Sequence, residues 1–119
     1  MLQTQNTKRY DLAERTRNFA KEVIRYVRLL PKSISNIEIG KQLVRSSGST
    51  GANYIEAEES LSKKDFVHRI KIVRKEAKES QYWLDLSDPQ NDQVNIKGKL
   101  MQESLELTKI FGSIVDKSQ

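Results

Sequence analysis

The 119-residue chain contains no cysteine. Disulfides, thiolate metal sites and cysteine nucleophiles are therefore excluded, and the absence fits a reducing cytoplasm. With only 2 prolines and 5 glycines, it lacks the punctuation that a turn-rich β protein requires and suits long helices. A single histidine, His68, is present. Without cysteine beside it, one imidazole cannot assemble a zinc site of the usual composition. No apolar run approaches the roughly 20 residues of a membrane span. Residues 1–10 show no apolar stretch of the kind a secretory leader carries. These absences predict a cytoplasmic protein with no membrane partner, no metal and no cofactor.

What is present is a balance of 36% hydrophobic and 31% charged residues, with a formal net charge of +5. The length fits one domain, residues 1–119, with a single core. The basic excess suits an anionic partner, chiefly nucleic acid (RNA or DNA) or an anionic membrane surface.

Apolar residues at spacings of three and four share a helix face, and four segments show that period, at about 10–30, 36–60, 63–86 and 94–115. The first aligns Leu12, Phe19, Val23, Tyr26, Val27 and Leu30, opposite Arg17, Lys21, Arg25 and Arg28, and Pro31 stops it. In the second, Ser35 and Glu38 have capping-box spacing. One stripe carries Ile39, Leu43, Ser46, Thr50, Tyr54, Ala57 and Leu61, and a second carries Ile37, Val44, Gly48, Gly51 and Ile55. A helix apolar or small on two sides is expected to be covered on two sides.

The stretch Ser46-Ser47-Gly48-Ser49-Thr50-Gly51-Ala52 is poor in helix propensity, each glycine costing about 1 kcal/mol relative to alanine. The stripes nevertheless continue in phase across it. This predicts an unbroken helix whose small side chains admit a close neighbour. The third segment, capped by Ser62, places Phe66, Ile70, Val73, Ala77, Ser80 and Leu84 on one face. Lys64, His68, Lys71, Lys75 and Lys78 lie directly opposite, with Ile72, Glu76, Glu79 and Trp83 on a flank. In the fourth, Leu100, Ser104, Leu107, Phe111, Ile114 and Val115 face one way. Short links between long helices make neighbours antiparallel. The expected fold is an all-α, up-down-up-down four-helix bundle.

Catalytic chemistry has few places to reside. His68 sits among lysines on a solvent face, with no buried acid to orient it. Glu56, Glu58 and Glu59 form the densest acidic cluster, but no Glu-x-x-His motif accompanies it. Gly48-Ser49-Thr50-Gly51 has G-x-x-G spacing without the strand that a phosphate loop or RNA clamp requires. An enzyme is not expected. Binding has better candidates. Lys64, Lys71, Lys75 and Lys78, and on the first helix Arg17, Lys21, Arg25 and Arg28, could meet a phosphate backbone. The alternative is a solvated face, with Lys75 and Lys78 partly balanced by Glu76 and Glu79. Ile37, Val44, Gly48, Gly51, Ile55, Ile72 and Trp83 exceed what one bundle centre can hide, which predicts a homo-oligomer.

The run Gln42-Leu43-Val44-Arg45-Ser46-Ser47-Gly48-Ser49-Thr50-Gly51-Ala52-Asn53-Tyr54-Ile55-Glu56-Ala57 resembles the signature of the four helix bundle protein family, also described as 23S ribosomal RNA intervening-sequence proteins. Ser62-Lys63-Lys64-Asp65-Phe66, Arg74-Lys75-Glu76-Ala77-Lys78-Glu79-Ser80, Tyr82-Trp83-Leu84, Asp11-Leu12-Ala13-Glu14-Arg15 and Phe19-Ala20 agree with it. The resemblance implies a ring-shaped homopentamer. Through relatives called accessory variability determinants it also implies nucleic-acid binding and association with a reverse transcriptase. Gly51 stands where many members have proline, a change that should leave the helix intact. The signature residues Arg45, Asn53 and Glu56 are expected to form a structural polar network between helices. The competing reading is a protein–protein adaptor ring with no nucleic-acid contact.

Overall fold

A computed structural model describes residues 11–119. The expected helix start at Tyr10 and the leader reading on residues 1–10 lie outside them. Four helices follow in order: α1 Leu12–Arg28, α2 Ile34–Glu58, α3 Lys63–Leu86 and α4 Val94–Ser118, the last entered through a 3₁₀ turn, Asn91–Gln93. No strand occurs among the described residues.

The first three helices each start where a side chain accepts from an orphan N–H of the first turn, whereas α4 begins without a side-chain cap. Asp11 accepts from the Glu14 N–H and Ser62 from the Asp65 N–H. At α2 the cap is Ser33, which accepts from the Asn36 N–H at 3.1 Å. The expected Ser35–Glu38 capping box does not form, and the reason is tertiary. Asn36 is buried, its side-chain N–H₂ donating to the Pro31 and Asp88 carbonyls while its oxygen accepts the Asp88 N–H, all at 2.9–3.0 Å. Starting α2 two residues early puts Asn36 where it ties the α1–α2 turn to the α3–α4 turn. At its other end α2 closes with i→i−3 bonds from the Glu59 and Ser60 N–H groups. Leu61 therefore falls outside the helix and is 98% exposed, not the core residue its spacing suggested.

Cross-bundle partners establish the antiparallel topology. Down α2, Asn36 meets Asp88 just past the end of α3, and Arg45, Ser46 and Asn53 meet Glu79, Ser80 and Arg69 on α3 itself. The same reversal pairs Gly40 and Gly51 of α2 with Val27 and Thr16 of α1. α1 packs on α2 and α4, as does α3, so α1 and α3 lie across the bundle diagonal. The core holds Phe19, Val23, Tyr26, Leu43, Ile70, Val73, Leu84, Leu107 and Phe111, each 2% exposed or less. Tyr54 of α2 and Phe111 of α4 meet across it, ring centroids 5.6 Å apart.

The small-residue stretch of α2 is unbroken helix. Its buried hydroxyls bond within the bundle: Thr50 donates to the Ser46 carbonyl and Ser80 to the Glu76 carbonyl, which leaves Ser46 to donate to Ser80 at 2.8 Å. No buried side-chain polar atom among the described residues lacks a partner, so burial costs little desolvation here. Close approach explains two glycines. A Cβ on Gly40 would stand 3.0 Å from Val27 Cγ1, and one on Gly51 3.2 Å from Thr16 Oγ1. Gly48 differs, because nothing lies within 4 Å of a Cβ there. Gly48→Ala is therefore expected to raise stability by about 1 kcal/mol through helix propensity. Gly51→Ala, which crowds Thr16, is expected to give less or to destabilise. Urea unfolding midpoints of the two variants check the contrast.

Candidate nucleic-acid interface

α3 presents a basic stripe to solvent. At 100° per residue, Lys64, His68, Lys71, Lys75 and Lys78 fall on one narrow stripe, and all five are exposed. None forms an ion pair among the described residues. The opposite face of α3, with Ile70, Val73, Ala77 and Leu84 fully buried, fixes the helix so that the stripe is rigid. A shallow cleft of about 480 Å³ opens at its beginning between Lys63, Lys64, Val67, His68, Lys71 and the chain's last residues, Ser118 and Gln119.

The flank carboxylates hydrogen-bond to partners other than these lysines. Glu79 accepts from the Arg45 guanidinium of α2 and from Trp83 Nε1 at 2.8 Å, and buried Glu76 accepts from Arg45 at 3.3 Å. Burial by itself raises the Glu79 pKa, but the Trp83 N–H and the Arg45 charge outweigh it and hold the carboxyl below its usual range. The Glu79 hydrogen bond raises the Arg45 pKa in turn.

Arg45 and Asn53 both reach α3: Arg45 bonds Glu76 and Glu79, and Asn53 accepts from Arg69 at 3.0 Å and donates to the Ser49 carbonyl of its own helix. Glu56 is not part of this network. Its side chain is exposed and makes no inter-helix bond among the described residues, because the α2 register points it to solvent. Their partners on α3, Arg69, Glu76 and Glu79, were not assigned from sequence, although Glu76 and Glu79 lie on the flank that faces α2. A second clamp, from Arg15 of α1 to Glu103 at 2.7 Å and Glu106 at 2.8 Å on α4, also went unassigned. Glu103, then Glu106, raises the Arg15 pKa further. Contacts between the first and last helices leave no local spacing signal.

Arg17, Lys21, Arg25 and Arg28 are also exposed. Their stripe lies on α1, across the diagonal, so the structure does not bring the two basic faces together. Arg25 pairs with Glu22 at 2.5 Å, while Arg17 and Lys21 border a groove between α1 and α2.

The groove collects most of the residues expected at an oligomer interface. One part, about 710 Å³, is lined by Ala13, Ala20 and Ile24 of α1 and Gly48, Gly51, Ala52 and Ile55 of α2. A second, about 500 Å³, continues along the same seam past Val27, Ile37, Gly40 and Val44. Ile37, Val44 and Ile55 are 45%, 38% and 55% exposed. Gly51 has a role within its own chain, since it admits Thr16. Ile72 is half-buried, and Trp83 packs against the chain's own core. The apolar body of Trp83 reaches the core while its N–H stays with Glu79.

Among the described residues no cluster of three or more His, Asp or Glu side chains is placed to hold a metal ion. No helix among them is long and apolar enough to cross a membrane.

Comparison with known proteins agrees with this architecture. A crystal structure of a protein with unknown function from the S23 ribosomal protein family of Bacteroides thetaiotaomicron VPI-5482 superposes with a TM-score of 0.75. The two are 30% identical, over 87% of this chain and 96% of that one. No curated protein matches. The family model described as 23S rRNA-intervening sequence protein matches residues 8–112. Those residues span all of α1 to α3 and most of α4, so the chain belongs to the 23S rRNA-intervening sequence protein family.

Proposed function

We propose that the protein is a non-enzymatic, self-assembling helical module that binds RNA or DNA through its basic helix faces. The observation that carries this reading is the α3 stripe. Four lysines stand on a rigid helix, solvent-exposed and without an ion pair among the described residues, while the neighbouring acids are bound by Arg45 and Trp83. Such cations release condensed counterions from a phosphate backbone without reading its sequence. Engagement of four phosphates corresponds to a log–log salt slope of about −3 to −4. A mobility-shift titration is therefore expected to lose about 50-fold or more in affinity between roughly 50 and 200 mM salt. Absence of binding even at the low end would refute the reading.

Self-assembly rests on the α1–α2 groove, whose Ile37, Val44 and Ile55 remain partly exposed in a single copy around a glycine and alanine floor. A second copy covering this seam would hide contiguous apolar surface, in keeping with the pentameric ring that the family resemblance implies. The cytoplasm, with its nucleic acids, is the compartment this reading requires. Light scattering is expected to give a mass several times that of one chain. A concentration-independent monomer would remove assembly from the proposal. The adaptor reading, in which the groove recruits another protein such as a reverse transcriptase, predicts that stripe mutations leave the partner bound.

A further inference from the structure

The cationic stripe of α3 does not end at Lys78. Tyr82 follows four residues on and falls at the stripe's angular centre, so the exposed face reads Lys64, Lys71, Lys75, Lys78, Tyr82 along about 27 Å of helix. Tyr82 is 57% exposed, and its ring meets Trp83 edge-on, centroids 4.9 Å apart at 70°. Trp83 is immobilised by its bond to Glu79 and by the core behind it. The tyrosine therefore leans on a fixed partner and loses little freedom when something stacks on it.

We infer that this surface takes single-stranded nucleic acid, with the lysines tracking phosphates and Tyr82 stacking an unpaired base. The inference rests on the nucleic-acid reading above and narrows it. Cations alone do not distinguish a duplex from a single strand. An accessible aromatic ring in line with them does, because only unpaired bases offer a free π face, and stacking is tolerant of sequence.

The test uses the full chain, a labelled oligo(dT) of about 20 nucleotides, longer than a typical single-strand site, and a duplex of equal length, both at about 50 mM salt. The oligo(dT) is expected to bind more tightly than the duplex and to change the emission of Trp83, the sole tryptophan. Tyr82→Ala is expected to weaken oligo(dT) binding roughly 5- to 150-fold and leave the duplex unaffected, while Tyr82→Phe, which keeps the ring, retains wild-type affinity. Tyr82 is exposed, so matching thermal melts are expected for all three proteins. Equal affinities for the two ligands, or an unchanged Tyr82→Ala, overturn the stacking inference and leave the phosphate reading intact. No binding of either ligand overturns both.

Discussion

Simultaneous replacement of Lys64, Lys71, Lys75 and Lys78 by glutamate is expected to abolish nucleic-acid binding at physiological salt. Each replacement moves the formal net charge by −2, so four take it from +5 to −3. The stripe changes from attraction to repulsion of a polyanion, and with four phosphate contacts gone the loss in affinity is expected to exceed about 100-fold. The fold should survive, because all four side chains are exposed and surface substitutions usually move stability by less than about 0.5 kcal/mol. A mobility shift measures binding, and circular dichroism with a thermal melt shows that the helices persist. The companion reversal at Arg17, Lys21, Arg25 and Arg28 separates the two faces. They point away from each other, so a ligand on one α3 face should be nearly indifferent to α1. A quadruple α3 reversal that binds as well as the parent chain would eliminate the stripe as the binding surface.

Phe111→Ala should have the largest effect on stability of any single substitution considered. Phe111 is fully buried on α4 and meets Tyr54 of α2 across the core. Removing the ring loses its transfer free energy, the aromatic contact and part of the packing of two non-adjacent helices, and the residual cavity adds its own penalty. Such truncations cost about 3–5 kcal/mol. That is a large share of a typical domain stability of about 5–15 kcal/mol and corresponds to a melting temperature lower by about 10–20 °C. Leu61→Ala is the control. Its side chain is almost wholly exposed, so its effect should fall within about 0.5 kcal/mol. Equal losses at the two positions would contradict the packing described for the core.

The helix count, the buried face of each helix and the exposed lysine stripe were legible in the sequence because all three depend on one local regularity. Side chains three and four residues apart share a face, so Ile70, Val73, Ala77 and Leu84 had to point one way and Lys64, Lys71, Lys75 and Lys78 the other. Continuity of α2 through its serines and glycines was legible for the same reason. What periodicity cannot convey is which distant residue a side chain will meet. Asn36 moved the start of α2 because Asp88 lies beside it only after α3 has packed. Gly51 is tied to Thr16 because α1 brings that side chain within 3.2 Å of where a Cβ would stand. Glu79 is withdrawn from the basic stripe because Arg45 of another helix reaches it. Sequence settled the faces, since a helix carries its own geometry. Only the tertiary structure settled the partners, since contacts between helices depend on relative depth and rotation, which no local spacing encodes.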